Sequence, residues 1–427
     1  MRGNDLAEKG AAAAVTRLLL APALPSAEDV LGLLPQLLWH FQGSFAHVAR
    51  IVVPCGFALP AGGPAEWLER HAPPFLADVD PAAVALLRRF ADRVLCEPHA
   101  EGDPVGDHPG AIVLFWRDFP GRPESAARVE ALGGRWHLLG RLIGREVSTG
   151  LPVEGGLVPA AQLLAAAWQA EPDRIGWIRE SECRFQDQLR RHGQGRRVLV
   201  CGNGPSASRL DPACHSADLV VHCNHTVLNS GLLDRVPPAF LAVYDDELWG
   251  CRAWSSEFRR AVAPALERHG TRLLVPMFAA PLVRCLLGDG LADRIIGIPY
   301  SHEQELPNDL LRRFWLNSTN NVLTAMMLPV ARAFAEGGGE IAVLGCDGRP
   351  FDLDAVDWPH AVPAPHGRQA PSGTGINFSP YDFREVMLHY LWTADRIAAI
   401  EAAGVPVRCV APSHVPALME RFDARPR

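Results

Sequence analysis

From residue 197 onward the chain repeats one unit: a short apolar run that stops at a glycine, proline or polar residue, often followed by a stretch with helical spacing. The runs are "RVLVCG" (Arg197 to Gly202), "DLVVHCN" (Asp218 to Asn224), "FLAVYD" (Phe240 to Asp245), "TRLLVP" (Thr271 to Pro276), "EIAVLGC" (Glu340 to Cys346) and "VRCVAP" (Val407 to Pro412). A strand with nearly continuous apolar residues is buried on both faces, which requires a sheet covered by helices on each side. Helical spacing over Thr319 to Glu336 and Tyr381 to Ala403 supplies such cover. The pattern predicts an α/β domain with a Rossmann-like, mostly parallel sheet and helices on both faces. Ligands of such sheets bind beyond the carboxyl ends of the strands. Those ends carry Asn203, Asn224, Asp245 and Asp347.

A chain of 427 residues exceeds one typical domain. Its first part is also α/β by pattern, with strand-like runs at Ala49 to Gly56, Arg93 to Pro98 and Ala111 to Trp116. Helical spacing is read in "PAAVALLRRFAD" and in "RVEALGGRWHLLGRLIG". No catalytic signature occurs there, and its role is left open. The charged stretch Trp177 to Arg197 reads as an exposed helix ending in a glycine-containing loop. It puts the expected boundary between domains 1–192 and 193–427. The segment Ala11 to Ala27 is read as an amphipathic helix rather than a cleaved signal, because Arg17 interrupts its apolar stretch and Asp5 and Glu8 spoil a positive leader. No apolar run approaches the about 20 residues needed to span a bilayer. A cytoplasmic protein is expected, with peripheral membrane association left open.

Composition removes several function classes. A net charge of -7 provides no overall basic field for nucleic acid. Lys9 is the sole lysine, so no Gly-Lys-Ser/Thr triplet of a phosphate-binding P-loop exists. A lysine-bound pyridoxal cofactor is disfavoured for the same reason. The ten cysteines form no Cys-x-x-Cys pair, and Cys201, Cys223, Cys346 and Cys409 lie in strand-like runs. They read as buried free thiols in a reducing compartment.

The most specific local pattern is "LVCGNGPSAS" (Leu199 to Ser208). Gly202 and Gly204 after a strand permit a tight turn and close approach to a ligand. Pro205 and Ser206 then open a helix, whose free amides favour a phosphate or carboxylate. The same residues serve equally as a plain strand-to-helix turn.

"VLVCGNGPSASRLD" followed by "DLVVHCNHT" resembles the core of bacterial sialyltransferases of glycosyltransferase family 42, where a strand runs into Gly-Asn-Gly-Pro-Ser and the next ends in Cys-Asn. "LAVYDD" resembles a third strand that in the family ends in Asn, a position held here by Asp245. "NSTNNVLTAMMLPVARAF", "EIAVLGCDG" and "LHYLWTADRIAAIEAAGVPVRCVAPSH" resemble its later segments in order. The resemblance spans roughly the last 230 residues and none of the first part.

It implies an inverting transfer of a sialic or related nonulosonic acid from a CMP-activated donor to a glycan or glycolipid hydroxyl, with no cofactor required. Gly202, Asn203, Gly204, Pro205, Ser206 and Asn224 would hold the donor's cytidine monophosphate, with Asp245 and Asp347 at the same edge. Ser318, Thr319 and Asn320 would lie near the sugar. His389 would be the general base, a role that a neutral imidazole suits. His360 and His366, in a Pro/Gly-rich loop, compete for that role. Otherwise His389 is a helix-edge histidine bonded to a carbonyl, and Asn224 and Asp245 are turn caps.

One departure bears on the leaving group. The family stabilises the departing phosphate with two tyrosines just after its Gly-x-Asp strand. Here "GCDGRPFDLDAVDWPH" has none before Tyr381, and Arg349 stands near the first position. A guanidinium can take that charge. The alternative is a resemblance to hydroxymethylpterin pyrophosphokinase-like proteins. They share a Gly-Pro-Ser loop and a Gly-x-Asp strand, and Asp245, Asp246 and Asp347 would then hold Mg²⁺ for ATP. A degenerate domain that only binds a nucleotide or glycan is the third possibility.

Overall fold

A computed structural model describes residues 17–21, 23–24, 26–45, 47–57, 79–99, 108–115, 122–138, 160–209, 216–301, 308–319, 321–348 and 383–422. The chain divides into two compact units, Met1–Arg174 with Gly250–Ala253, and Ile175–Trp249 with Trp254–Arg427. Both are α/β.

In the first unit, β1 (Arg17–Ala21), β2 (Arg50–Cys55), β3 (Val94–Pro98), β4 (Ile112–Phe115) and β5 (Arg135–Leu138) form a parallel sheet in the order β3-β2-β1-β4-β5. Helices α1 (Ala27–Phe41), α2 (Pro81–Arg89), α3 (Arg122–Ala131) and α4 (Ala160–Ala170) accompany it.

Two sequence expectations change here. The described part of the segment read as an amphipathic helix opens as β1, the central strand. Leu18, Leu19 and Leu20 are all fully buried, and three consecutive buried side chains suit a strand enclosed on both faces. The helix begins only at Ala27, where Ser26 Oγ accepts from the Asp29 amide at 3.2 Å. The second change is in "RVEALGGRWHLLGRLIG", where the helix stops at Ala131 and β5 follows. Gly133 turns the chain at φ +72°, and a Cβ on Gly134 would lie 2.7 Å from the Ala111 carbonyl oxygen. The Gly-Gly pair ends the helix.

The second unit opens with α5 (Arg174–His192) and holds a seven-stranded sheet. Its strands are β6 (Arg197–Cys201), β7 (Leu219–Cys223), β8 (Phe240–Ala242), β9 (Arg272–Pro276), β10 (Ile295–Ile298), β13 (Glu340–Leu344) and β14 (Val407–Cys409). All pair in parallel, in the order β10-β9-β8-β7-β6-β13-β14. A separate parallel pair, β11 (Tyr300–Ser301) with β12 (Leu316–Asn317), lies outside this sheet. The helices are α6 (Ser206–Arg209), α7 (Ser230–Arg235), α8 (Ser256–His269), α9 (Ala280–Leu287), α10 (Leu328–Ala335), α11 (Phe383–Ala402) and α12 (Pro416–Met419). This is the Rossmann-like parallel sheet that the apolar runs predict, extended by β10.

Alternation along β6 explains the double cover. Val198 and Val200 pack with Phe185, Phe240, Phe334 and Ile397 on one face. Leu199 and Cys201 pack with Ala207, Leu232 and Val236 on the other. The first of these clusters decides where the unit begins. Phe185 is fully buried, with ring centroids 5.7 Å from Phe314 and 5.9 Å from Phe334. The helix expected to be exposed, with a boundary after it at 192/193, therefore belongs to the second unit, and the contact division falls at Arg174.

The helix expected over Thr319 to Glu336 is a π-helical turn, Leu323–Met327, running into α10. Pro329 gives the reason. Its ring crowds the carbonyl four residues back and it has no N–H to donate, so the turn widens, with the Leu328 amide bonding Leu323 O. Pro329 leaves Thr324 O without a donor five residues on. Arg396 Nε, from α11, donates to that oxygen at 3.1 Å, and the Tyr300 hydroxyl donates to Ala325 O at 3.2 Å.

Among the described residues no helix is long and apolar enough to cross a membrane.

Candidate functional site

The sheet of the second unit grows outward from β6 through β7, β8, β9 and β10, and the chain then returns to the other side of β6 as β13. The order reverses between β6 and β13, and such a switch point opens a crevice at the carboxyl ends of the strands. The glycine loop after β6 and the Gly345–Asp347 loop after β13 meet there.

They meet closely enough to explain the glycines. The Gly202 amide bonds Leu344 O at 2.8 Å, and the Gly204 amide bonds Gly345 O at 2.6 Å. A Cβ on Gly202 would lie 2.4 Å from Gly345 O, and one on Gly345, itself at φ +69°, would lie 2.5 Å from Gly202 O. A Cβ on Gly204 would fall 1.9 Å from Asp347 Oδ2. Close crossing of two backbones is thus the physical reason for Gly202, Gly204 and Gly345.

The anion expected at Ser206 is supplied by the chain itself. Asp347 Oδ2 accepts from the Ser206 hydroxyl at 3.0 Å and from its amide at 3.3 Å. Ser206 Oγ in turn accepts from the Gly345 amide at 3.1 Å. Ser206 opens a helix of only four residues, α6, with Pro205 directly before it. Ser206 and Asp347, both expected at a donor phosphate, are brought together as each other's partner.

A second polar line runs from this crossing along the edge. Asn203 Oδ1 accepts from Cys223 Sγ at 3.8 Å. The next residue, Asn224, holds a left-handed backbone at φ 37°, uncommon for a residue with a side chain. Its Oδ1 accepts from the Tyr244 amide at 3.2 Å, which ties the end of β7 to the segment after β8. The Tyr244 hydroxyl meets Ser318 Oγ at 2.7 Å and also bonds the Thr319 backbone. Thr319 Oγ1 lies 2.8 Å from Thr324 Oγ1. Asn321 Oδ1 accepts from the Leu323 amide at 2.8 Å, and its Nδ2 lies 3.1 Å from His389 Nδ1. The chain of contacts therefore joins Asn224, the adjacent pair Ser318 and Thr319, and His389, three places far apart in sequence.

Burial shapes the electrostatics of this edge. It pushes the Tyr244 phenol up to about 12, and Tyr300, whose ring centroid is 5.3 Å from that of Tyr244, in the same direction. The Asp245 carboxyl is pushed up to about 6, first by burial and then by Glu247. Asp246 is raised as well, by burial and by both acidic neighbours, and its Oδ1 is buried with no hydrogen-bond partner. Arg396 is lowered to about 10 by burial, with Tyr300 and Asp395 opposing that shift.

Asp245 also caps a short helical turn, its Oδ1 accepting from the Glu247 amide at 3.2 Å. That is the capping role open to it from sequence. Among the described residues no group of three or more His, Cys, Asp or Glu side chains is arranged to hold a metal ion. Asp245, Asp246 and Asp347 are accordingly not assembled as one ligand set. Cys201, Cys223, Cys346 and Cys409 are free thiols, and burial pushes Cys201 up to about 12 and Cys223 higher.

Arg349, Asn320, His360, His366 and Tyr381 lie outside the described residues. Tyr244, Tyr300, Asn321 and Arg396 were not singled out in the sequence. Arg396 was findable, since it lies two helical turns from His389 on the same face of α11. Asn321 sits inside "NSTNN", where no spacing rule marks which amide faces a helix residue 68 positions further along the chain.

No family model, no curated protein and no solved structure matches this chain.

Proposed function

We propose that the second unit is a glycosyltransferase that moves a sialic or related nonulosonic acid from a CMP-activated donor to a glycan or glycolipid hydroxyl, with inversion and in the cytoplasm. The observation that carries this reading is the polar line from Asn203 and Asn224 through Tyr244 and Ser318 to His389, beside the switch point of a parallel sheet. A nucleotide needs amide and hydroxyl groups that bond its base and ribose, and this edge offers Asn203, Asn224, Ser318 and Thr319. The transfer needs an imidazole near the reacting atoms, and His389 is that group. Arg349 takes the charge of the leaving phosphate. The left-handed backbone of Asn224 fits the reading, because such residues cluster at active sites where the surrounding structure holds them.

The pairing of Ser206 with Asp347 modifies the role of the glycine loop. While that carboxylate occupies the Ser206 amide, the donor's phosphate is bound elsewhere, and the loop's part is to set the crevice.

A thermal-unfolding panel with CMP, CDP, ATP with Mg²⁺ and no ligand tests the reading. CMP or CDP at about 100 times its Kd stabilises a binding fold by about 2.7 kcal/mol. Asn203→Ala removes that shift and leaves the ligand-free midpoint unchanged. Stabilisation by ATP with Mg²⁺ alone replaces the reading with the pyrophosphokinase one. CMP stabilisation without transfer or hydrolysis of a CMP-sugar leaves a binding domain.

A further inference from the structure

The His389 ring is held by a group whose own orientation is fixed. Asn321 Oδ1 accepts from the Leu323 amide at 2.8 Å, so the amide oxygen of that side chain faces the start of the π-helical turn. Exchanging O and N would set two N–H groups against each other at that position. The nitrogen, Nδ2, therefore faces His389 Nδ1 at 3.1 Å. An amide nitrogen only donates, so the ring nitrogen opposite must accept. A neutral imidazole that accepts at one nitrogen carries its proton on the other.

Asn321 is not free to turn away. Its backbone carbonyl accepts from the Ala325 amide at 2.8 Å and from the Thr324 and Thr319 hydroxyls at 3.3 and 3.4 Å. His389 is in turn fixed on α11, where its carbonyl accepts from Thr393 Oγ1 at 2.8 Å and its ring packs on Trp392, with centroids 5.9 Å apart. Thr393 is itself buried, 2% exposed, which anchors this turn of the helix.

We propose that Asn321 is a positioning residue that holds His389 as its Nε2–H tautomer, so that the neutral ring presents a donor at Nε2 instead of taking a proton there. This reverses the polarity that the family resemblance implies for His389. In the function proposed above, the proton of the acceptor hydroxyl then goes to another base, for which the sequence offers His360 and His366; the tautomer does not rest on that function. Asn321 touches neither reactant in this scheme and acts only through the ring.

The test is a long-range ¹⁵N–¹H spectrum of the full chain labelled at histidine, recorded where the rings are neutral, with the His389 signals identified by their loss in His389→Gln. The expected result is an unprotonated Nδ1 and a protonated Nε2. Asn321→Asp keeps an oxygen on the Leu323 amide and presents the other to the ring, so it switches His389 to the Nδ1–H form. A wild-type ring with its proton on Nδ1, or a tautomer that Asn321→Asp does not change, overturns the proposal. The midpoint of thermal unfolding confirms that the variant is folded. Failure of CMP to bind leaves this spectrum as it was, so the two readings fail separately.

Discussion

The carboxylate of Asp347 holds the hydroxyl and amide of Ser206, at 3.0 and 3.3 Å, across the point where the strand order of the second sheet reverses. The two residues are far apart in sequence and lie in the loops that follow adjacent strands, so one interaction closes both loops of the crevice. A free anion and Asp347 compete for the same amide.

Removing that carboxylate therefore loosens the crossing. Asp347→Ala is expected to cost about 1.5–3 kcal/mol, the usual range for hydrogen bonds to a charged group, read as a lower midpoint in urea unfolding. Gly204→Ala is destabilising too, since its Cβ would fall 1.9 Å from Asp347 Oδ2. The double variant should cost less than the sum of the singles, by on the order of 1 kcal/mol. Strict additivity would mean that the glycine is required by the Gly345 backbone alone.

Asp245 sets a pH dependence with a definite sign. Its folded-state value, pushed up to about 6 by burial, exceeds the ordinary 3.8. Between those values the folded state holds more protons than the unfolded state, so stability falls as pH rises through this window. Asp245→Asn keeps an oxygen for the Glu247 amide and removes the buried charge. It should gain on the order of 1–3 kcal/mol relative to wild type at pH 8, and the gain should vanish below pH ~3, where both states are protonated. Parallel curves for the two proteins from pH 4 to 8 would contradict this.

The boundary at Arg174 is open to a direct comparison of fragments. A chain from residue 193 lacks Phe185 and Leu189 and leaves Phe314 and Phe334 without the ring they pack on. It should give molten material with weak near-UV circular dichroism. A chain from residue 172 retains α5 and should unfold cooperatively. In the full chain, Phe185→Ala should cost about 3–5 kcal/mol. A cooperative fold from residue 193 would restore the boundary read from sequence.

Arg396 and Tyr300 serve carbonyls of the turn that Pro329 disturbs. Arg396→Met should cost about 1–3 kcal/mol by leaving Thr324 O unpaired. In a Pro329→Ala background the new N–H is available to that turn, and the cost of Arg396→Met should shrink. Equal costs in the two backgrounds, measured by denaturant unfolding, would assign Arg396 a role unconnected with the proline.

The legible part of this protein was its periodicity. Mostly apolar runs marked β6, β7, β8, β9, β13 and β14, because a strand buried on both faces has little room for polar residues. The short β10 passed unnoticed, as four residues with a glycine in the middle carry little pattern. The segment before Ala27 was misread because four apolar residues suit a helix or a strand, and only a place at the centre of a sheet decides between them. The helix from Arg174 looked exposed because most of its residues are charged or polar, while its few apolar positions, Phe185 and Leu189 among them, lie on one buried stripe.

The candidate site divides along the same line. By itself the sequence determined which residues end the strands, since the change from apolar to polar marks where each strand leaves the core: Asn203, Asn224, Asp245 and Asp347. It also determined that Gly202 and Gly204 lie at a turn. Only the tertiary structure decided what those residues face. Ser206 faces Asp347, Tyr244 faces Ser318 and Asn321 faces His389, and each pair is at least 68 residues apart in the chain. Hydrogen bonds of that range depend on strand order and on the register between parallel strands, and local periodicity contains neither.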